Sequence, residues 1–224
     1  MKYSLSIFSI SFKYIVYLYV LIGFSISKAG AFDDFFKAIV FDQDYMVAHL
    51  ISRGMDPNTP TEKGEPALVF AVRSNAPKAV AFLLKQPGIQ LDATNTADET
   101  ALMLAANAND LSSANLLIEA GASVNRPNWT PLHYAASKDH VAMMRLLIDN
   151  DAYIDAESPN GTTPLMMAAY YASPKAVKLM LEEGADPLLK NQDGMTALDM
   201  AVAKDKALSA QYIRVFIESL NLKN

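Results

Sequence analysis

One short pattern returns five times along this chain of 224 residues. It reads "GEPALVFAV" at 64–72, "DETALMLAA" at 98–106, "NWTPLHYAA" at 128–136, "GTTPLMMAA" at 161–169 and "GMTALDMAV" at 194–202. The aligned leucines are Leu68, Leu102, Leu132, Leu165 and Leu198, spaced by 34, 30, 33 and 33 residues. Fourteen residues after each of the first four stands a second apolar cluster: "FLL" at 82–84, "LLI" at 116–118, "LLI" at 146–148 and "LML" at 179–181. A fixed period near 33 is the signature of one supersecondary unit repeated. Each unit holds two short helical patterns of about 8 and 10 residues split by a polar break. A helix pair this short cannot bury its apolar face alone, so the copies must stack, each touching only its neighbours.

The punctuation agrees. Pro77 and Pro174 stand where second helices begin, a position at which the missing N–H costs nothing. Ser173 and Asp110 are suited to cap such helices, because their side-chain oxygens accept from free N–H groups. Gly54, Gly121 and Gly184 close second helices, where a left-handed residue is favoured. Asp151 takes that place in the fourth copy and predicts a looser turn there. The pairs Ala105–Ala106, Ala135–Ala136 and Ala168–Ala169 let neighbouring first helices approach closely, and the leucines fill the layer between.

With its period, its T-P-L-H-x-A core at 130–136 and its recurring L-L…G-A endings, the chain resembles the ankyrin repeat family across about six copies. The resemblance implies an all-α solenoid of helix-turn-helix repeats with hairpin-like loops projecting to one side. The copies fall near 32–60, 61–94, 95–126, 127–157, 158–190 and 191–224. "DDFFKAIVF" at 33–41 starts a first copy that lacks the Thr-Pro motif and reads as an N-terminal cap. The link "SVNRPNWTP" between the third and fourth copies is three residues short. The sixth copy ends in a longer helix, "SAQYIRVFIESLNL", as a C-terminal cap would.

The first 31 residues read differently. Lys2 and Lys13 precede an uncharged, mostly apolar run from Tyr14 to Ser27, followed by small residues at Ala29 and Ala31. That order marks a secretory signal peptide, residues 1–31, cut after Ala31 or Ala29. The alternative is a retained anchor, although 14 residues fall short of the ~20 that a spanning helix needs. The formal charge of −5 argues against nucleic acid, whose partners need surplus Lys and Arg. Removing a signal with its lysines leaves an acidic remainder. No cysteine is present, so disulfides, thiolate nucleophiles and cysteine-based zinc sites are excluded.

His133, in the fourth copy, is one of three histidines. As a base or metal ligand it would need partners fixed beside it. His49 lies in a distant copy, His140 lies across the helix break, and no metal-binding spacing occurs. The bland role fits better: Thr130 starts a helix, Pro131 fits its first turn, and His133 lies within that turn. The resemblance implies that this Thr and His hydrogen-bond and brace the loop. Other copies carry Val69, Met103, Met166 and Asp199 instead. Asp33, Asp34, Asp42 and Asp44 form an acidic cluster without a calcium-loop pattern, and are expected as a solvated capping face. Met143, Met144, Met166 and Met167 are expected to fill the core.

The resemblance places partners on the projecting loops and the exposed side of the first helices, the concave side. The partner-binding candidates there are Trp129, Tyr170, Tyr171, Lys138, Arg126, Asn107 and Arg73. Trp129 with Tyr170 and Tyr171, bordered by Lys138 and Arg126, has the make-up of a binding hot spot. The alternative is that Trp129 plugs the shortened link. The expectation is a non-catalytic, cofactor-free monomer that is exported to the periplasm, binds or stabilises another protein, and is free of the membrane once the signal is cut. A secreted effector that binds a host protein, and a tethered scaffold, are the alternatives.

Overall fold

The computed structural model describes residues 28–221. The apolar run of the candidate signal lies outside the described residues, whereas Ala29 and Ala31 fall in the first turn of the first helix. Six helix pairs follow one another: α1 (Lys28–Val40) with α2 (Asp44–Ser52), α3 (Ala67–Arg73) with α4 (Pro77–Leu83), α5 (Ala101–Ala108) with α6 (Leu111–Glu119), α7 (Pro131–Ser137) with α8 (Val141–Asp149), α9 (Pro164–Tyr171) with α10 (Pro174–Glu182), and α11 (Ala197–Ala203) with α12 (Ala207–Asn221). First helices pack on first helices and second helices on second helices, repeat after repeat. No strand occurs among the described residues, so the chain is the expected all-α solenoid.

Residue size explains the stacking. Leu68, Leu102, Leu132 and Leu165 are buried, as are the three alanine pairs. Leu198, on the last described first helix, is partly buried. The helix starts behave as read. Asp110 accepts from Ser113 N at 3.0 Å, and Ser173 accepts from Lys175 N at 3.3 Å. Thr100, Thr130, Thr163 and Thr196 cap the later first helices.

Two expectations are corrected. The turn at Asp151 is not looser. Ala152 N donates to Leu147 O at 2.9 Å, the same length as the matching bonds Ala122 N–Leu117 O and Ala185 N–Met180 O. Asp151 reaches φ 62° without glycine, since its short polar side chain tolerates the left-handed region. Nor is the acidic cluster simply a solvated face. Asp34 is buried. Asp42 works across repeats: its Oδ1 accepts from Lys78 N at 2.8 Å and Ala79 N at 3.0 Å, capping α4 of the next copy.

The projecting loops are short fingers. Each closes with a backbone bond: Thr61 N to Glu65 O (2.7 Å), Asn95 N to Glu99 O (3.0 Å), Ser158 N to Thr162 O (3.0 Å) and Asn191 N to Met195 O (3.1 Å). Gly161 favours glycine on two counts: its φ is 74°, and a Cβ there would lie 3.3 Å from Asn191 Cα in the next finger. The fourth copy, three residues short, has no such closing bond.

A second ladder ties the far side. Asn58, Asp92, Asn125 and Asp155 accept through their side chains from the backbone N–H of Gln90, Ser123, Tyr153 and Asp186 in the following copies. Leu188 ends the series. Among the described residues the last copy continues as α12 to Asn221.

Candidate functional site

Because every copy repeats one geometry, the side chains facing out from the first helices form rows. Two residues after the aligned leucines stand Phe70, Leu104, Tyr134, Met167 and Met200, all apolar or aromatic and all partly buried against the core. Five residues after them stand Arg73, Asn107, Ser137, Tyr170 and Ala203. Three before stand Glu65, Glu99, Trp129, Thr162 and Met195. These rows, with the fingers, make the inner face.

On α3 the rows close on themselves. Arg73 pairs with the buried carboxylate of Glu65, and its guanidinium lies 5.5 Å from the centre of the Phe70 ring. Burial holds Glu65 above the ordinary carboxylate range even with Arg73 beside it. Arg73 is thus engaged within its own repeat.

On α7 the arrangement is open. Trp129, His133, Tyr134, Ser137 and, from the next repeat, Met167 line a cavity of about 210 Å³. The Trp129 and His133 rings meet edge to face at 5.2 Å. Tyr134 Oη donates to Glu99 Oε1 at 3.1 Å. Burial first, then the Glu99 carboxylate, pushes this phenol up to about 12, so it stays a donor.

His133 is fully occupied. Its Nε2 faces Thr162 O at 2.9 Å. A carbonyl can only accept, so Nε2 carries the proton. Nδ1 accepts from Thr130 N at 3.2 Å and lies 2.9 Å from Thr130 Oγ1. The neutral ring is satisfied on both sides, and burial lowers its pKa to about 4. This is the structural brace expected of it, with a reach the sequence did not show: it ties the fourth repeat to the fifth finger. His140 does similar work, with Nε2 donating to Asn107 O at 3.1 Å.

The predicted hot spot divides. Tyr170 and Tyr171 meet each other at 4.5 Å, and Lys204 Nζ stands 4.5 Å from the centre of the Tyr170 ring. This is a patch on the fifth and sixth repeats. Trp129 belongs instead to the α7 cavity. Arg126 does not border the aromatics as a free cation. Its guanidinium turns back to the third finger, donating to both carboxylate oxygens of Asp98 at 2.8 and 3.0 Å and to Asp98 O. Lys138 is exposed and forms no ion pair among the described residues, and Asn107 stands half-buried in its row. Tyr134, Ser137, Met167 and Lys204 were not among the chosen residues. Reading the positions two and five after each aligned leucine would have found the first three. Met167 in particular is a wall of the cavity rather than core.

Among the described residues, no three His, Asp or Glu side chains are grouped to hold a metal ion. No described helix is long and apolar enough to cross a membrane.

Such a fold and face define a helical-repeat module for protein interaction. The chain belongs to the ankyrin repeat family: the family model "Ankyrin repeats (3 copies)" matches residues 35–128, 102–191 and 152–221. By sequence it is 30% identical over 175 residues to the nuclear factor NF-kappa-B p105 subunit of Gallus gallus, covering 75% of this chain and 18% of that protein. It is 34% identical over 133 residues to neurogenic locus notch homolog protein 1 of Homo sapiens, covering 58% and 5%. The chain thus spans less than a fifth of the length of either relative. By structure it resembles an ankyrin repeat domain from Acinetobacter baumannii, with TM-score 0.73, 25% identity, and 81% of this chain and 96% of that one covered. It also resembles a chain in the complex of a predatory endopeptidase from Bdellovibrio bacteriovorus with an immunity protein. There the TM-score is 0.71 and the identity 27%, with 85% and 98% covered.

Proposed function

We propose that this chain is a non-catalytic scaffold, exported to the periplasm, that binds and steadies a folded partner protein on its inner face. One observation carries the reading. The inner face presents an apolar row from Phe70 to Met200, and at the fourth repeat, where the finger is missing, a cavity walled by Trp129 and Tyr134 opens beside it. Partly buried aromatic groups at a recess are where binding energy concentrates. The likeness to a chain of an endopeptidase–immunity protein complex supports an enzyme as the partner. Export rests on the basic start and apolar run of residues 1–31.

The test has two arms. N-terminal sequencing of protein recovered from the periplasmic fraction should find a start at Gly30 or Phe32; an intact start in the membrane fraction would refute export. Affinity capture from the same envelope should then retain one protein on the wild type and lose it on a Trp129→Ala/Met167→Asp variant. A Lys175→Ala variant, altered on a second helix, should keep it. Equal capture by all three would move the partner off the inner face.

A further inference from the structure

The repeats differ in one informative way. In the second, Arg73 sits over the Phe70 ring and against the Glu65 carboxylate. In the fourth, the ring is present as Tyr134, but Ser137 stands where Arg73 does. Its hydroxyl turns away to Tyr134 O, at 2.9 Å. Both register equivalents, Tyr134 and Ser137, line the cavity of about 210 Å³. A carboxylate again lies next to the ring: Glu99 of the neighbouring repeat, whose Oε1 accepts from the Tyr134 hydroxyl at 3.1 Å and whose Oε2 accepts from Asn95 Nδ2 at 2.9 Å. Trp129 adds a second aromatic wall.

We propose that this cavity receives an arginine side chain of the partner protein, stacked on Tyr134 and Trp129 with its charge toward Glu99. The inference rests on the inner-face scaffold reading and gives that partner its chemistry. The size suits it, being below the ~300–1,000 Å³ of pockets for drug-sized ligands. The walls suit a cation, since ring faces attract positive charge, most strongly those of indole. Arginine is favoured over lysine because its plane stacks on rings while its fork meets a carboxylate. Of the nearby positive charges that would oppose it, Arg126 is held by Asp98, and Lys138, beside Ser137, is exposed to solvent. His133 is neutral, with both nitrogens engaged. The acidic chain, at −5, favours approach of a basic surface.

Trp129 is the sole tryptophan, so its fluorescence and its indole N–H resonance report occupancy. The probes are N-acetyl-arginine methylamide, its neutral isostere N-acetyl-citrulline methylamide, and N-acetyl-leucine methylamide. Blocked arginine should saturate the signal at least ~10-fold more tightly than citrulline, a difference on the scale of one desolvated cation–ring contact. Glu99→Gln should remove that preference. Ser137→Arg, which brings the register equivalent of Arg73 to the cavity wall, should abolish binding with the thermal melt unchanged. Equal binding of arginine and citrulline would overturn the proposal, as would tighter binding of leucine, or a Ser137→Arg protein that still binds. If partner capture succeeds while blocked arginine fails, the arginine site falls and the scaffold stands. If blocked arginine binds while no protein is captured through this face, the scaffold reading falls alone.

Discussion

Replacing His133 with methionine isolates a pH dependence written into the core. Methionine already occupies this position in two other repeats, as Met103 and Met166, so the helix start tolerates it. In the wild type, burial lowers the imidazole from 6.5 to about 4. Above 6.5 both the folded and unfolded chains hold a neutral ring. Between 6.5 and 4 the unfolded chain takes up a proton that the folded chain refuses, so stability falls with pH across that window and levels off below it. At about 1.4 kcal/mol per unit, the full window amounts to about 3 kcal/mol. The variant loses the bond to Thr162 O, which keeps its bond from Ser158 N, at a cost of about 0.5–1.5 kcal/mol at pH 7. It also loses the titration. His133→Met should therefore be the less stable protein at pH 7 and the more stable one at pH 4, with the curves crossing between. Urea unfolding followed by far-ultraviolet circular dichroism and by Trp129 fluorescence, at several pH values, measures the difference. The other titrating groups act on both proteins and cancel. A wild-type minus variant difference that stays flat from pH 7 to pH 4 would refute the assignment of a buried, neutral, Nε2-protonated ring.

Three further outcomes are expected. Arg126→Ala should cost about 1 kcal/mol, since Asp98 is largely exposed and the pair is partly screened, and should speed amide exchange in the third finger at Asp98 and Glu99. Asp42→Gly preserves the left-handed backbone at φ 51° while removing the acceptor for Lys78 N and Ala79 N. It should lower stability by about 0.5–1 kcal/mol and loosen exchange at the start of α4, rather than in its own repeat. Ala135→Leu, at a position with no exposed surface between the third and fifth repeats, should cost about 1–3 kcal/mol through overpacking, visible as a lower melting temperature; an unchanged melt would mean that the first helices are not in close contact there.

The repeat, its period and its helix boundaries were legible because they are local. Thr130 and Pro131 at a helix start, Asp110 and Ser173 as caps, and Gly121 and Gly184 at helix ends all act on residues within a few positions of themselves, so spacing alone reports them. The brace formed by Thr130 and His133 was readable for the same reason. What the tertiary structure decided lies between copies. His133 reaching Thr162 and Asp42 capping a helix 36 residues on join groups about one period apart. Which neighbour a side chain meets depends on how one repeat is set against the next. The hot spot drawn from neighbouring letters divided for that reason: Trp129 turns to Tyr134 and Met167, whereas Tyr170 turns to Tyr171 and Lys204. The cavity on α7 likewise draws its walls from two repeats, Trp129, His133, Tyr134 and Ser137 from the fourth and Met167 from the fifth, a grouping that needs both repeats in three dimensions.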